Sequence, residues 1–380
     1  METVNRIIRG HPGFLHVAIG QAGSVAVGAV FWFFIARLLQ PDAYGQVNWL
    51  ISIASFAAAF CVLGWGKTIV TYYPKEGSEE LVGGATLIVL VASLAVGIAM
   101  GLFFEPLVGL LIVGLSLFSI TISYELGRRR YKRFMWISLI AKFMSLPLAV
   151  LLYFMFGLPG VLLSYTIPSL IFGILSLKHL SSSNPGMGKA KEKAGFAFKA
   201  FGADTTSSAT GLLDKILIGG IFGWMMLGLY QLAYQIFAFL GVLPGVMFTY
   251  LLPERSAGAK TKEIEVLGLM ASIALACSAI ILSPVVISWA FPSFAGAVGI
   301  VQVMSLGIIP SAIVATRMSE LYARGRAGAV LTSYLVALAV EIMGIVVLGN
   351  YFGGIGLATS VVLLQTALAA MLLLYAREKV

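Results

Sequence analysis

Residues 81–103 read LVGGATLIVLVASLAVGIAMGLF, a stretch without a charged side chain. A helix of about 20 apolar residues is long enough to cross the ~30 Å hydrocarbon core of a bilayer. Backbone N–H and C=O groups find no water inside lipid, so only helices and closed barrels cross it. An apolar run of this length is too long and too continuous for a barrel strand. The stretch therefore predicts a membrane-spanning helix.

Comparable apolar stretches recur along the whole 380-residue chain. The other predicted spans are Gly13–Leu39, Gln46–Gly66, Pro106–Tyr124, Phe134–Phe156, Pro159–Leu177, Phe196–Phe222, Met226–Leu252, Val266–Ala290, Phe294–Ala315, Gly328–Leu348 and Gly353–Tyr375. The sequence thus predicts an all-α integral membrane protein with about 12 transmembrane helices.

The composition agrees with a chain that lives in lipid. Hydrophobic residues make up 59% of the sequence and charged residues 11%, against roughly 45–50% and 25% in soluble domains. Such a composition excludes a soluble enzyme, a disordered protein and a fibrous protein. Cys61 and Cys277 both lie in apolar runs, so neither a disulfide framework nor a metal site is expected.

The basic residues alternate between the connecting segments and predict the topology. Of the 25 Lys and Arg residues, 22 fall in or at the border of every second connecting segment, or at the termini. By the positive-inside rule, both termini are cytoplasmic and the protein lies in the cell membrane. The net charge of +9 then reflects loop sorting, and no nucleic-acid partner is expected. The remaining three cations, Arg37, Lys142 and Lys215, lie within predicted spans.

The seventh predicted span is the most polar of the twelve. If it did not cross, every later basic segment would lie outside, so it must cross despite its polarity. On a helical projection Asp204, Ser207, Ser208, Asp214 and Lys215 fall within an arc of about 120°. Two interpretations stay open: the stripe lines a watery cavity, or it packs between helices around a local Asp–Lys pair.

An internal repeat divides the spans into two sets of six. The segment Ile35–Gly45 has a counterpart about 183 residues later at Ile218–Gly228, and each ends a first span with a turn whose Gly opens the second. Six spans per repeat predict two like-oriented six-helix bundles, related by a pseudo-twofold axis along the membrane normal. The predicted lobes are residues 1–180 and 196–380, joined by a cytoplasmic linker at 181–195.

Several segments resemble one known family. Ala36-Arg-Leu-Leu-Gln-Pro-Asp-Ala-Tyr-Gly45 resembles the first-span signature of the polysaccharide-biosynthesis flippases. Asp214-Lys-Ile-Leu-Ile-Gly219, Leu227-Gly-Leu-Tyr230 and Leu232-Ala-Tyr234 are similar to that family's seventh and eighth spans, and Leu252-Pro-Glu-Arg-Ser256 to the segment after them. The family moves lipid-linked oligosaccharides and belongs to the multidrug/oligosaccharidyl-lipid/polysaccharide exporter superfamily.

The resemblance implies a transporter and not an enzyme. The implied function is translocation of a polyprenyl-pyrophosphate-linked oligosaccharide by alternating access. The implied partners are that substrate and membrane lipid, with a monomer functionally linked to glycosyltransferases. A cation-coupled multidrug exporter and a non-transporting membrane scaffold remain as alternatives.

Four cations are candidate phosphate contacts, since Lys and Arg bind phosphate oxygens. Lys142 and Lys215 lie deep in their spans. Arg37 lies near the outer end of span one, where snorkelling to the interface is the alternative. Lys67 follows Gly64-Trp-Gly66, where span two is expected to loosen, and a positive-inside loop residue is the alternative there.

Three acids in the spans are candidates for coupling to H⁺ or Na⁺: Asp204, Asp214 and Glu341. No other cofactor is expected. Charges at this depth cost about 2.5–3.5 kcal/mol each on insertion scales, which makes each a functional candidate. A structural ion pair is the alternative, and Lys142 is one possible partner for Glu341.

Span eight offers a candidate surface for sugars. Its Tyr230, Gln231, Tyr234 and Gln235 repeat at a spacing of four residues, which places them on one helix face. Aromatic rings and amides can stack on sugars and hydrogen-bond to them. Aromatic packing between helices is the alternative.

Overall fold

The structure of the protein is a computed structural model. It describes the backbone of residues 12–182, 187–256 and 261–377. Within these ranges it describes every side chain except those of residues 12–22, 25, 181–182, 203–204, 206–207, 253 and 256. The described residues are almost entirely helical and include no strand. The all-α fold class is therefore confirmed.

Fourteen α-helices follow one another in the described ranges. They are α1 Pro12–Leu38, α2 Pro41–Val62, α3 Trp65–Glu76, α4 Glu79–Phe103, α5 Pro106–Gly127, α6 Tyr131–Phe156, α7 Leu158–Gly173, α8 Lys178–Ser182, α9 Met187–Leu240, α10 Val242–Ser256, α11 Lys262–Ala290, α12 Val298–Ser305, α13 Ile308–Ala323 and α14 Ala327–Arg377. Two 3₁₀ turns, Ile174–Leu177 and Pro292–Ala297, join α7 to α8 and α11 to α12.

Nine helical segments of the described chain are long and apolar enough to cross a membrane. Two of them, of 45 and 51 residues, each contain a glycine outside the helical region, Gly223 and Gly353. Each glycine divides its segment into two, at the positions where spans seven and eight and spans eleven and twelve were predicted to meet. The first predicted span corresponds to α1, whose apolar part Ala26–Leu38 is shorter than the other spans. The multi-pass membrane protein predicted from the sequence is thus confirmed.

The second predicted span ends at a break in the helix. Leu63 and Gly64 both have positive φ, and the helix restarts at Trp65 as the short α3. A left-handed residue interrupts the hydrogen-bond ladder and is easiest for glycine, because glycine has no Cβ. A Cβ on Gly64 would also collide with the carbonyl oxygen of Ala197. The loosening predicted from Gly64-Trp-Gly66 is therefore present as a full break.

The second part of the predicted linker, residues 187–195, is helical. Helix α9 begins at Met187, nine residues before the predicted start of span seven. Lys, Glu and Ala are favourable helix formers. Lys193 bonds to Glu192 at 2.7 Å and to Glu76 of α3 at 2.8 Å, which holds this polar helix start against its neighbour.

The described chain divides into two compact units. Unit 1 comprises the described residues within Met1–Trp32 and Leu50–Ser208, and unit 2 those within Phe33–Trp49 and Ala209–Val380. Unit 2 therefore contains the Ile35–Gly45 turn as well as its repeat. The two like-oriented bundles, their pseudo-twofold axis and the lobe boundaries given above stay predictions.

Within unit 2 the two repeated turns pack against each other. A Cβ on Gly45 would collide with the carbonyl oxygen of Trp224, and a Cβ on Gly228 with that of Pro41. Since Pro41 and Trp224 are also separated by 183 positions, the two contacts are equivalent by the repeat. Reciprocal contacts of this kind are those that a twofold relation produces.

Candidate functional site

A buried ion pair lies on α9 in unit 2. Lys215 Nζ is 3.1 and 3.0 Å from the two carboxylate oxygens of Asp214, and it also donates to the carbonyl oxygen of Gly211 at 2.7 Å. Asp214 is 2% exposed and Lys215 5%. This is the local Asp–Lys pair that was one of the two interpretations of the polar seventh span.

Two tyrosines complete the coordination of this pair. The break at Gly223 turns the chain back, so that residues 230 and 234 lie beside residues 214 and 215. Tyr230 donates its hydroxyl to Asp214 Oδ2 at 2.8 Å, and Lys215 Nζ lies 3.7 Å from the centre of the Tyr234 ring. Lys215 is therefore held by a carboxylate, a carbonyl and an aromatic face, a set that compensates its charge within the unit.

Glu341 on α14 is the third charge of this centre. It is 3% exposed, and its charge interacts with those of Asp214 and Lys215. Among the described residues, Glu341 accepts no hydrogen bond and forms no ion pair within 4 Å. The structure thus brings Asp214, Lys215 and Glu341 together. Asp214 is bonded to Lys215 and Tyr230, whereas the charge of Glu341 is compensated less well.

The glutamines of span eight differ from the tyrosines beside them. Gln231 is buried, and its Oε1 has no hydrogen-bond partner among the described residues. Gln235 is half-buried. The rings of Tyr230 and Tyr234 stack on each other with centroids 6.1 Å apart. The two tyrosines therefore pack inside unit 2, and their predicted contact with sugars stays a prediction, as does that of the glutamines.

The seventh span is divided between the two units after Ser208. The side chains of Asp204 and Ser207 lie outside the described residues, so the predicted role of Asp204 in coupling stays a prediction. Ser208 lines a cavity of unit 1, whereas Asp214 and Lys215 are enclosed in unit 2.

Lys142 lines a cavity of about 490 Å³ in unit 1. Its Nζ donates to the hydroxyl of Tyr165 at 2.6 Å and lies 4.5 Å from the centre of that ring. Hydroxyl groups share the wall with apolar side chains, and the lining residues with hydroxyls are Ser24, Ser138, Ser145, Tyr165 and Ser169. The Ser24 hydroxyl has no hydrogen-bond partner in the described part of the chain.

Lys142 is deep in its helix and has no acidic partner in the described part of unit 1. It lies eleven residues after the start of α6 and fourteen before its end. At ~1.5 Å per residue that is about 16 Å and 21 Å, too far for easy snorkelling. The structure thus places a cation at membrane depth beside an open volume.

Lys67 lies in the first turn of α3 and lines a second cavity of unit 1, of about 440 Å³. Its side chain is exposed. The cavity wall also includes Thr71, Ser119, Ser123, Phe196 and Ser208.

Arg37 caps the end of another helix. Its Nη1 donates to the carbonyl oxygen of Ala290 at 2.5 Å, and the carbonyl oxygen of Trp289 lies 3.5 Å away. The last carbonyls of a helix have no partner within it and carry partial negative charge. Arg37 therefore stabilises the end of α11, and its predicted contact with pyrophosphate stays a prediction.

Two polar networks at helix ends were not predicted from the sequence. In unit 1, Glu79 accepts from Tyr73 at 2.6 Å and from Tyr124 at 3.0 Å, with His179 Nδ1 3.2 Å away. Burial, and then the hydrogen bond to the carboxylate, raise the pKa of the Tyr73 phenol. Tyr73 is therefore a permanent donor.

The second network joins α10, α11 and α13 in unit 2. Glu265 binds both Arg255 and Arg317, and Glu320 binds Arg317 at 2.6 Å and Arg324 at 2.5 Å. The sequence signal for this network is the set of basic residues in the connecting segments, which the sequence analysis explained by membrane topology alone.

Solved transporters share this fold. The lipid II flippase MurJ in an inward closed conformation has a TM-score of 0.80 at 14% identity, over 95% of this chain and 87% of that one. A multidrug resistance MATE family transporter of the MOP superfamily, in an inward-facing conformation, has a TM-score of 0.65 at 11% identity, over 96% of this chain and 97% of that one. A MOP superfamily transporter from Pyrococcus furiosus has a TM-score of 0.58 at 12% identity, over 96% of this chain and 94% of that one. The chain is thus a multi-pass membrane protein with the fold of these transporters.

The family follows from the sequence itself. The profile of the family described as polysaccharide biosynthesis protein matches residues 34–258. The chain belongs to this family. No curated protein matches the chain.

Proposed function

We propose that this protein is a flippase that carries a lipid-linked oligosaccharide precursor, of the polyprenyl-pyrophosphate type, across the cytoplasmic membrane. The family and the fold support a transporter acting in polysaccharide biosynthesis. The proposed mechanism is alternating access, in which the two lobes rock and the opening faces one side at a time. The sugars cross in a watery cleft while the lipid tail stays in the bilayer.

The observation that carries the proposal is the Lys142 cavity. An ammonium at membrane depth without a carboxylate partner costs free energy, so its presence beside an open volume favours a site that receives an anion. A Lys acts toward phosphate as a point charge. The hydroxyls that share the wall can hydrogen-bond to phosphate or sugar oxygens. In this proposal Lys142 neutralises the pyrophosphate during transfer.

Coupling to H⁺ or Na⁺ is the second part of the proposal. Glu341 is buried beside Asp214 and Lys215, yet no hydrogen bond within the described residues fixes its carboxylate. An acid in this setting can take up a proton or a cation, and that change of charge alters its electrostatic interaction with Lys215. A ligand shifts a conformational equilibrium only through its different affinity for the two states. Asp214 is already bonded to Lys215 and Tyr230, and its proposed part in ion coupling is through the same group of charges.

The orientation and surroundings complete the proposal. Both termini lie in the cytoplasm, where glycosyltransferases supply the substrate, and the protein acts as a monomer in the cell membrane. Lys67 and Arg37 lie toward the inner and outer ends of the path, respectively.

The test is surface-glycan export in a strain that lacks the gene, complemented with Lys142→Met. Export is expected to fall by at least about tenfold, because loss of a hydrogen bond to a charged group costs about 1.5–3 kcal/mol. Lys142→Arg keeps the charge and is expected to retain part of the export. The matched control is Lys132→Met, which removes an exposed Lys from the same helix.

Normal export by Lys142→Met at wild-type protein levels would contradict the proposed role of the cavity. The MATE-like fold makes a multidrug exporter the rival function. Such an exporter would keep its drug resistance with Lys142→Glu, whereas the flippase would lose glycan export. A scaffold would tolerate both substitutions.

A further inference from the structure

The connection between α5 and α6 in unit 1 consists of three arginines, Arg128, Arg129 and Arg130, which we call the arginine turn. Its backbone is fixed, because the N–H groups of all three donate to carbonyl oxygens in the last turn of α5 at 2.8–2.9 Å. All three side chains are exposed. The turn therefore holds three positive charges at the surface of unit 1.

Arg129 adopts a backbone conformation that favours glycine. Its φ is 57°, one of two positive φ values at non-glycine residues in the described chain. The left-handed residue after the end of a helix is usually glycine, because a Cβ is strained there. An arginine at this position costs conformational free energy that a glycine would not. The geometry of the turn therefore does not explain the arginine side chain.

Two carboxylates next to the turn are already bound. Glu79 Oε1 lies 3.5 Å from Arg128 Nη1. Glu125 Oε1 lies 3.3 Å from Arg133 Nε, in the first turn of α6. The side chains of the second and third arginines of the turn form no ion pair or hydrogen bond with a described residue. Their two guanidinium groups are therefore available to an anion.

The turn lies at the depth of lipid headgroups. Helix α6 is long and apolar enough to cross a membrane, and it begins directly after the turn at Tyr131. Trp136 is 51% exposed and lies six residues beyond Arg130, which is about 9 Å along a helix. An exposed Trp near the end of a span marks the border between hydrocarbon and headgroups. By the predicted topology this end of α6 faces the cytoplasmic leaflet, which carries anionic lipids.

We propose that the arginine turn binds the phosphate of an anionic phospholipid in the cytoplasmic leaflet, through the guanidinium groups of Arg129 and Arg130. A guanidinium presents a planar fork of N–H donors that matches two phosphate oxygens. The ligand is a lipid of the leaflet, because the turn lies in the layer that phospholipid phosphates occupy. This inference goes beyond the proposed function, since binding here requires no transport.

The experiment follows the unfolding temperature of the purified full-length protein in phosphatidylcholine nanodiscs while phosphatidylglycerol replaces an increasing share of the phosphatidylcholine. The share that gives half of the rise in unfolding temperature measures binding. A second arm adds soluble glycerol 3-phosphate to phosphatidylcholine nanodiscs. We expect a rise in the first arm alone, because glycerol 3-phosphate has the phosphate but is not concentrated in the headgroup layer. An equal rise in the second arm would overturn a leaflet lipid as the ligand.

The test variant is Arg129→Gln/Arg130→Gln. Each arginine lost is expected to raise the required share of phosphatidylglycerol about fivefold, the contribution of one basic residue at an anionic surface. The matched control, Lys75→Gln/Lys262→Gln, removes two exposed lysines that each precede a glutamate, and it should respond like wild type. Arginines that served topology alone would act only during insertion. The purified test variant would then respond to the lipid like wild type.

Arg129→Gly separates binding from folding. Glycine is favoured at this φ, so without phosphatidylglycerol the variant is expected to unfold at the wild-type temperature or above it. It should nevertheless need about five times the share of phosphatidylglycerol for half of the rise.

No rise for wild type, the same response in the test variant as in wild type, or equal losses in the test variant and the control would overturn this inference. The outcome is independent of glycan export. Loss of the lipid response with export retained leaves the flippase proposal intact. Loss of export through Lys142→Met with the lipid response retained leaves this inference intact.

Discussion

At the residue scale, Lys142 and Lys215 are both deep lysines but have different surroundings. Lys215 is compensated by Asp214, a carbonyl and an aromatic ring, whereas Lys142 has a tyrosine hydroxyl and ring and an open volume. Lys215 is therefore suited to joining helix segments and setting the electrostatics around Glu341. Lys142 is the better candidate for a substrate phosphate.

The Asp214–Lys215 pair leads to a prediction about stability. Removing one partner of a buried pair leaves an uncompensated charge and costs about 3–5 kcal/mol, while replacing both by apolar residues is often neutral. We expect Lys215→Met to lower the unfolding temperature in detergent. The double variant Asp214→Leu/Lys215→Met should recover most of the loss.

Lys199→Met serves as the control for this prediction, since Lys199 is exposed on the same helix and should leave the unfolding temperature nearly unchanged. A double variant less stable than Lys215→Met would argue against a mainly structural pair. Recovered stability with lost export would assign the pair a role in coupling.

At the element scale, breaks at glycine determine where the polar residues meet. The break at Gly223 returns the chain so that Tyr230 reaches Asp214, and the break at Gly64 places Lys67 in the first turn of a new helix. The contact between Tyr230 and Asp214 is not possible along one continuous helix, where residues 16 positions apart are separated by about 24 Å.

The packing of the two repeated turns gives the second prediction. Gly228→Ala and Gly45→Ala each introduce a methyl group into a backbone contact, which must separate the two turns. We expect a loss of stability of about 1–3 kcal/mol for each, as for other overpacked sites. The measurement is the unfolding temperature in detergent.

Gly220→Ala is the matched control, because a Cβ there meets no atom within 4 Å. In a helix, Ala is favoured over Gly by about 1 kcal/mol, so this variant should be unchanged or stabilised. Equal effects of Gly220→Ala and Gly228→Ala would refute the importance of the turn contact.

At the scale of the whole molecule, the alternation of basic segments predicts which ends of the spans face the cytoplasm. In a background with Cys61→Ala and Cys277→Ala, we expect Tyr351→Cys to react with a membrane-impermeant maleimide in intact cells. Lys75→Cys should react only after the cells are opened. Both side chains are exposed, so accessibility reports the side of the membrane. Labelling of Lys75→Cys in intact cells would reverse the topology.

The sequence by itself determined the fold class, the number of spans and the family, because these depend on local properties. Apolar length, glycine at turns and the distribution of charge are all visible along the chain. The breaks at Gly223 and Gly353 fall where adjacent predicted spans meet, since glycine interrupts a helix without help from its neighbours.

Only the tertiary structure decided which polar residues share a site. Lys142 meets Tyr165 on another helix, Arg37 reaches the end of α11 some 250 positions away, and Ser123 of α5 lies beside Gly66 of α3. A helical projection gives the face of a residue but not the helix opposite it. Whether a buried charge is compensated depends on that opposite helix, and so does the distinction between a structural ion pair and a candidate binding site.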